Sequence, residues 1–408
     1  MTGCAAFFAD MLGKREKGIH SGIYSVCSAN PYVIRAAIEQ VADGSAPLLI
    51  EATSNQVNQY GGYTGMQPQD FAGFVYGIAD ECGFPRENIM LGGDHLGPLV
   101  WKGSAEEDAM TAAEELVKSY VRAGFTKIHI DTSMKLYGDR LDIPLSDEKI
   151  AKRGARLCRA AENAKKTESP VYVIGSEVPV PGGPQEKTDT VIPTAPEAFL
   201  SSYRAFEEAF NEEGLSDAFR RVTAFVVQPG VEFTGSQVFE YERNAAAGLF
   251  EALRKLHAPL VFECHSTDYQ TPESLRMLVE DGAAILKVGP ALTYALHRGI
   301  IALENIERQL VGFSGRKLSR FTGTLEDAML KNDGNWKKYY TGTEKQLRQQ
   351  MRYSYFDRAR YYLPEPEVDG ALKLLISNLE TAGKSPDALL KDSVKQYLKR
   401  YVDAVKPV

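Results

Sequence analysis

The sequence predicts an α/β chain built as a (β/α)8 TIM barrel with a mainly helical C-terminal extension. Three observations carry this. Short apolar or β-branched runs alternate with longer helical patterns along most of the chain. The strand cores PLLIEA, AFVVQ and LVFEC are continuously apolar, as parallel strands covered on both faces are. Nearly every such run ends in a residue able to do chemistry, and barrel active sites are assembled at the C-terminal ends of strands. Eight βα units over about 300 residues suit a barrel of typical size with insertions. A doubly wound open sheet, the rival architecture, would carry a Gly-rich nucleotide turn after an early strand. Neither GxGxxG nor GxxxxGK(S/T) occurs here.

The strands fall at 23–27, 47–53, 89–93, 127–132, 171–177, 223–228, 260–264 and 284–288. Helical patterns occupy 31–43, 68–82, 104–123, 146–166, 195–211, 243–256, 272–281 and 291–310. Start signals agree: Ser104 has Glu107 three residues on, and Pro68 and Pro272 stand at first turns. Residues 1–312 form the barrel and 313–408 the extension. The extension is rich in Tyr, Arg and Lys around YSYFDRARYYLP and becomes helical near 367–380 and 385–404. It covers one face of the barrel or contributes to a homo-oligomer.

Composition narrows the partners. The 408 residues carry a net charge of −7, which argues against nucleic acid or an anionic membrane surface as the main partner. No apolar run reaches the roughly 18 residues a membrane span needs, and MTGCAAFFADML lacks the features of a signal peptide. Five cysteines, with no CxxC spacing, suit a reduced cytoplasmic protein.

The strand ends supply Glu51, the pair Asp94-His95, Asp131, Glu177, Gln228, His265 and Lys287. Each has a plainer role open to it; Glu51, for instance, could cap the following helix. His129 faces the same way as Asp131 and is read as a satisfied core histidine beneath the mouth. His95, Glu177 and His265 form the candidate metal set. Two imidazoles, a carboxylate and an open position suit catalytic Zn²⁺, or Mn²⁺, Co²⁺ or Ni²⁺. Gln228 is a fourth, weaker ligand or a hydrogen-bond partner of substrate. Gly92 and Gly93 fit backbone that approaches a ligand closely. No nucleotide cofactor is expected.

The segments LIEATSNQVNQYGGYTGM, GGDHLGP, VRAGFTKIHIDTSM, EVPVPGG, VVQPGVEF, HSTDYQT and ILKVGPALTYAL together resemble the GatZ/KbaZ family. That family is the Z subunit of tagatose-1,6-bisphosphate aldolase, placed near the class II aldolases. The likeness runs from about residue 14 to YYLP near 364 and rests on long, ordered motifs. It implies a TIM barrel in which the Asp-His pair supplies a proton-transfer group, Asp94, and a metal ligand, His95. His265 resembles a later metal-ligating histidine. Class II aldolases usually complete a three-histidine site; the third histidine is missing from the set read here, so Glu177 or Gln228 replaces it.

The resemblance implies two functions. One is metal-dependent epimerisation of a ketohexose or ketohexose 6-phosphate at C4, of the fructose/tagatose type. The other is an accessory role, supporting a Y-type aldolase subunit. Acids, histidines and an amine at nearly every strand end favour the enzyme. In that chemistry the cation stabilises an enediolate and Asp94 or Asp131 moves the C4 hydroxyl proton. Glu177 serves the cation, and Lys287 offsets developing charge. Glu51, Asn55, Gln56, Gln228, Ser266 and Asp268 are expected to contact substrate. Arg358 or Arg360 is expected to hold a phosphate.

Overall fold

The computed structural model describes residues 3–42, 47–166, 168–176 and 190–408. The first six strands are β1 (Ile23–Val26), β2 (Leu48–Thr53), β3 (Ile89–Leu96), β4 (Lys127–Ile130), β5 (Val171–Ile174) and β6 (Val222–Val227). A small antiparallel hairpin, β7 (Glu232–Phe233) with β8 (Val238–Phe239), follows β6. Strands β9 (Val261–Cys264) and β10 (Ala283–Val288) complete the set. Apart from the hairpin, the strands pair in parallel and close into a barrel, in the order β1-β10-β9-β6-β5-β4-β3-β2. The eight-stranded barrel expected from the alternating pattern is therefore present.

Around it lie α2 (Pro31–Gln40), α3 (Pro68–Glu81), α4 (Glu106–Arg122), α5 (Asp147–Ala164), α6 (Pro196–Glu212), the short α7 (Ser216–Phe219), α8 (Arg243–Leu256), α9 (Pro272–Asp281) and α10 (Pro290–Val311). Their starts follow from local chemistry. Asn30 caps α2 by accepting from the backbone of Tyr32 and Val33, and Thr271 caps α9 ahead of Pro272. The expected cap at Ser104 is not used. Helix α4 starts after Ala105, and Glu106, Glu107 and Asp108 face its positive end instead.

The first helix, α1 (Cys4–Glu16), was not foreseen. Its Cys4, Phe8 and Met11 recur at helical spacing and are buried. They pack on Ile23, Leu49, Met90, Val171, Ala224, Val261 and Ile285, the apolar lining of the barrel's N-terminal end. The helix thus plugs the end opposite the functional mouth.

Beyond α10 come α11 (Phe321–Lys331), α12 (Glu344–Tyr353), α13 (Pro366–Thr381) and α14 (Pro386–Ala404). Helix α14 packs on α2, α9 and α10. Its Tyr401 hydroxyl donates to the Thr267 carbonyl at 2.8 Å, and its Tyr397 hydroxyl accepts from the Tyr269 backbone at 2.7 Å. This ties the loop after β9 to the far end of the chain. Among the described residues, no helix is long and apolar enough to cross a membrane.

Candidate active site

The Asp94-His95 pair sits in a β-bulge. Gly93 pairs with Ile128 and Leu96 with Ile130, so Asp94 and His95 together oppose the single residue His129 on β4. Regular alternation would send Asp94 and His95 to opposite faces. The extra residue and a left-handed His95 backbone, with φ of 48°, let both side chains turn into the buried interior. The glycines serve the protein rather than a ligand. A Cβ on Gly92 would come within 2.6 Å of the Glu51 side chain, and one on Gly97 within 1.7 Å of the Asp131 carbonyl oxygen.

Three imidazoles converge here. Ring centroids of His95, His129 and His265 are 4.8 to 5.2 Å apart. Each ring is held by its own carboxylate. His95 Nδ1 is 2.9 Å from Asp131 Oδ2, His129 Nδ1 is 2.8 Å from Asp94 Oδ1, and His265 Nε2 is 3.0 Å from Glu263 Oε1. The His95 backbone nitrogen lies 3.2 Å from His129 Nδ1 as well; the shorter, charge-assisted contact places the proton toward Asp94. One nitrogen of each ring is left over, and His129 Nε2 is buried with no hydrogen-bond partner among the described residues. Asp94, His95, His129 and His265 can offer one ligand atom apiece within 4.8 Å of one another. Imidazoles oriented by carboxylates, each with a free nitrogen, are the donor set of a divalent transition-metal site.

Beneath them runs a ring of buried ions. Lys127 Nζ is 2.6 Å from both Glu51 Oε1 and Glu263 Oε2. Lys287 Nζ contacts the other Glu51 oxygen, reaches Asp94 Oδ2 at 2.9 Å, and lies 3.9 Å from Glu263 Oε1. Among the described residues, Glu51, Asp94 and Glu263 thus share two ammonium groups, all of them buried.

The titrations follow from these contacts. Burial opposes the charge on Asp94, yet Lys287 and His95 hold it well below its ordinary range. Burial likewise opposes charge on Glu263, and Lys127 and Lys287 outweigh it. Burial lowers His265 to about 3, so its ring is neutral. His95 is raised despite burial, because Asp94 and Asp131 face it.

A cleft opens above this cluster. Asn55, Gln56, Ser266, Asp268 and Arg360 line it together with Asp94, His95, His265 and Lys287. The other expected residues land elsewhere. Glu51 is locked in the ion ring. Asp131 uses one oxygen on His95 and the other on the Ser133 backbone and hydroxyl, and, unlike Asp94, it is not among the cleft-lining residues. Gln228 Oε1 accepts from the backbone of Gly230 and Val231, shaping its own turn rather than contacting the cluster. Arg358 stacks on Tyr339 and Tyr361 and donates to the Asn335 carbonyl, and it is not among the cleft-lining residues. Glu177 lies outside the described residues. His129 corrects the expectation of a missing third histidine: it stands level with the other two, not beneath them. Lys127, Glu263, Tyr63 and Tyr361 were not singled out from the sequence.

A family model for D-tagatose-1,6-bisphosphate aldolase subunit GatZ/KbaZ-like proteins matches residues 8–406. The chain belongs to this family. The D-tagatose-1,6-bisphosphate aldolase subunit GatZ of Salmonella dublin is 46% identical over 373 residues, 91% of this chain and 87% of that protein. GatZ of Salmonella gallinarum matches to the same extent. Among solved structures, a probable tagatose 6 phosphate kinase from Sinorhizobium meliloti 1021 superposes with a TM-score of 0.85 at 43% identity. That match covers 94% of this chain and 100% of the other.

One further acid borders the site of this GatZ/KbaZ-like chain. Glu232 on the β7–β8 hairpin accepts from the Phe233 backbone at 2.9 Å and from Ser266, next to His265. Burial pushes it up to about 7. The native state then keeps a proton that the unfolded chain releases from about pH 4.5 upward, so stability falls as pH rises from there to about 7. The expected decline is about 3 kcal/mol. Urea unfolding at several pH values should show this slope in the wild type and its loss in Glu232→Gln. An equal slope in both proteins would refute the assignment.

Proposed function

We propose that this chain epimerises a ketohexose or ketohexose 6-phosphate of the fructose/tagatose type at C4. The reaction breaks and re-forms the C3–C4 bond. The observation that carries this is the triad of carboxylate-held histidines, with His129 Nε2 buried and unpartnered among the described residues, beside a cleft lined by Asn55, Gln56, Asp94 and Lys287. His95, His129 and His265 would hold a divalent cation, zinc or a similar ion. Such a cation supplies Lewis-acid stabilisation of the charge that develops on the C2 and C3 oxygens.

The remaining roles belong to side chains. Asp94, ionised and cleft-lining, takes the C4 hydroxyl proton as general base. Lys287, 2.9 Å from it, offsets negative charge during bond cleavage. Asn55 and Gln56 hydrogen-bond sugar hydroxyls, and Arg360 is the cation available to a terminal phosphate. A non-catalytic helper has no use for four buried carboxylates and two buried lysines, because an apolar interior of similar volume is commonly at least as stable.

The relatives' designation as an aldolase subunit favours the second reading, a partner that stabilises a Y-type aldolase. One experiment separates the two. The purified chain, loaded with Mn²⁺, Zn²⁺ or Ni²⁺, is incubated alone with fructose, fructose 6-phosphate and tagatose 6-phosphate. Formation of the C4 epimer, abolished by EDTA, is the expected result. No turnover, together with tight binding to a Y-type subunit, would establish the accessory role instead. Triose release from a bisphosphate would mark an aldolase.

A further inference from the structure

A turn from the C-terminal part of the chain completes the wall of the cleft. Asp357 opens it in a left-handed conformation, with φ of 42°. Its carboxylate accepts from Thr293 Oγ1 at 2.5 Å and lies 3.4 Å from His297 Nδ1, so the turn is anchored to α10, the helix that follows the last barrel strand. Anchoring there places Arg360 and Tyr361 in the cleft with Asp94, His95 and Lys287.

The surroundings of Tyr361 are those of an activated phenol. Arg360 Nη2 donates to its hydroxyl at 3.1 Å, and the Arg360 guanidinium carbon lies 4.6 Å from the ring centroid. Arg358 stacks on the ring at 4.4 Å. Tyr63, from the loop after β2, meets it edge-on with centroids 4.7 Å apart. The charged and titratable groups around this pair are Arg358 and Arg360, then Tyr339 and Tyr340 behind the arginines, Asp357 on the anchored side, and Asp268 across the cleft from Arg360.

We infer that Tyr361 is the second proton carrier of the site, acting on the C4 oxygen from the wall while Asp94 acts from the barrel strand. This rests on the epimerase reading. Turning the aldehyde for inversion at C4 also turns its oxygen, and one carboxylate fixed by Lys287 and His129 serves one of the two directions. As the C3–C4 bond breaks, its electron pair enters the C2–C3 enediolate and Asp94 takes the C4 hydroxyl proton. The aldehyde turns, C3 attacks its other face, and the new C4 alkoxide takes the Tyr361 proton. Asp94 is left protonated and Tyr361 is left as phenolate. Exchange of one proton through solvent resets the pair.

The electrostatics agree with this geometry. Burial opposes ionisation of Tyr361, but Arg360 and Arg358 outweigh it and hold the phenol below its ordinary range. Burial, reinforced by Tyr361, pushes Tyr63 up to about 12, so Tyr361 is the member of the pair that ionises first. A phenol lowered in this way is a better acid and base near neutral pH than an ordinary tyrosine.

The test is Tyr361→Phe in the full-length, Mn²⁺-loaded protein. Epimerisation should fall by about 100-fold or more in kcat, with little change in KM. The difference in tyrosinate absorbance between wild type and Tyr361→Phe should titrate below the other tyrosines, and Arg360→Met should move that transition upward. Epimerisation by Tyr361→Phe within about threefold of an active wild type overturns the inference, as that margin lies far inside the usual effect of an acid/base. So does a difference spectrum that titrates at or above the ordinary phenol range. An inert wild type would remove the epimerase reading itself, and with it this role.

Discussion

Replacing His129 by alanine is expected to strip the site of its metal and to lower epimerase turnover at least about 100-fold. Loss of a group that only orients a ligand typically costs 10- to 100-fold in affinity or activity, and His129 is placed to be a ligand itself. Its Nδ1 is fixed by Asp94, and its buried Nε2 has no hydrogen-bond partner among the described residues. An unpaired buried donor or acceptor costs about 1–3 kcal/mol, and at His129, unlike His297, whose Nε2 is also unpartnered, two further imidazoles stand 5.1 and 5.2 Å away. The two roles separate on measurement. Wild type should bind one equivalent of Zn²⁺ or Mn²⁺ and lose thermal stability on chelation, because a ligand bound only by the native state stabilises it. The variant should bind none, and chelation should leave its melting temperature unchanged. Stoichiometric metal binding and normal turnover in His129→Ala would return His129 to the core.

The fold was legible because its signals are local and repeated. Apolar strand runs followed by helical patterns recur eight times, and the polar strand ends named one mouth. Helix α1 was overlooked because Cys4, Phe8 and Met11 form one short apolar stripe with no strand before it to suggest a unit. The site was half legible. Asp94, His95, His265 and Lys287 could be read as strand ends, and all four reach the cleft.

What escaped depends on features that pattern does not encode. The bulge at Asp94-His95 brings His95 level with His129, whereas regular pairing leaves His129 a layer lower. A usable signal was nonetheless present. Lys127, His129 and Asp131 are spaced by two along one strand, as are Glu263 and His265 along another, so each set shares a face of an otherwise apolar run. Charged residues in such strands must pair across the barrel. Arg358 and Arg360 look alike in sequence, and only the turn that carries them sends one under an aromatic stack and the other into the cleft. Tyr361 becomes visible only when a segment some 270 residues beyond Asp94 in sequence folds back over the mouth.

Replacing Lys127 by methionine is expected to destabilise the barrel by about 3–5 kcal/mol at pH 8, the range seen when one partner of a buried ion pair is removed. Methionine fills nearly the same volume, so the loss is electrostatic rather than a cavity effect. It leaves Glu51 and Glu263 fully buried, with Lys287 the one ammonium group left to share among the described residues. The pH dependence gives the mechanism away. In the wild type the lysines hold Glu263 well below its ordinary range, so that stabilisation is present above about pH 4.5 and is lost as pH falls. In the variant a carboxyl is raised instead, and its stability is greatest at low pH and lost as pH rises. The gap between the two proteins should therefore shrink as pH is lowered from 8 toward 5, measured by urea unfolding at each pH. Activity should fall too, although Lys127 does not line the cleft: Glu263 orients His265 and depends on Lys127 to stay ionised. Equal stability of Lys127→Met and wild type at pH 8 would mean that the ring contributes little to holding the barrel together. The buried charges would then owe their presence to the proposed metal site and reaction alone.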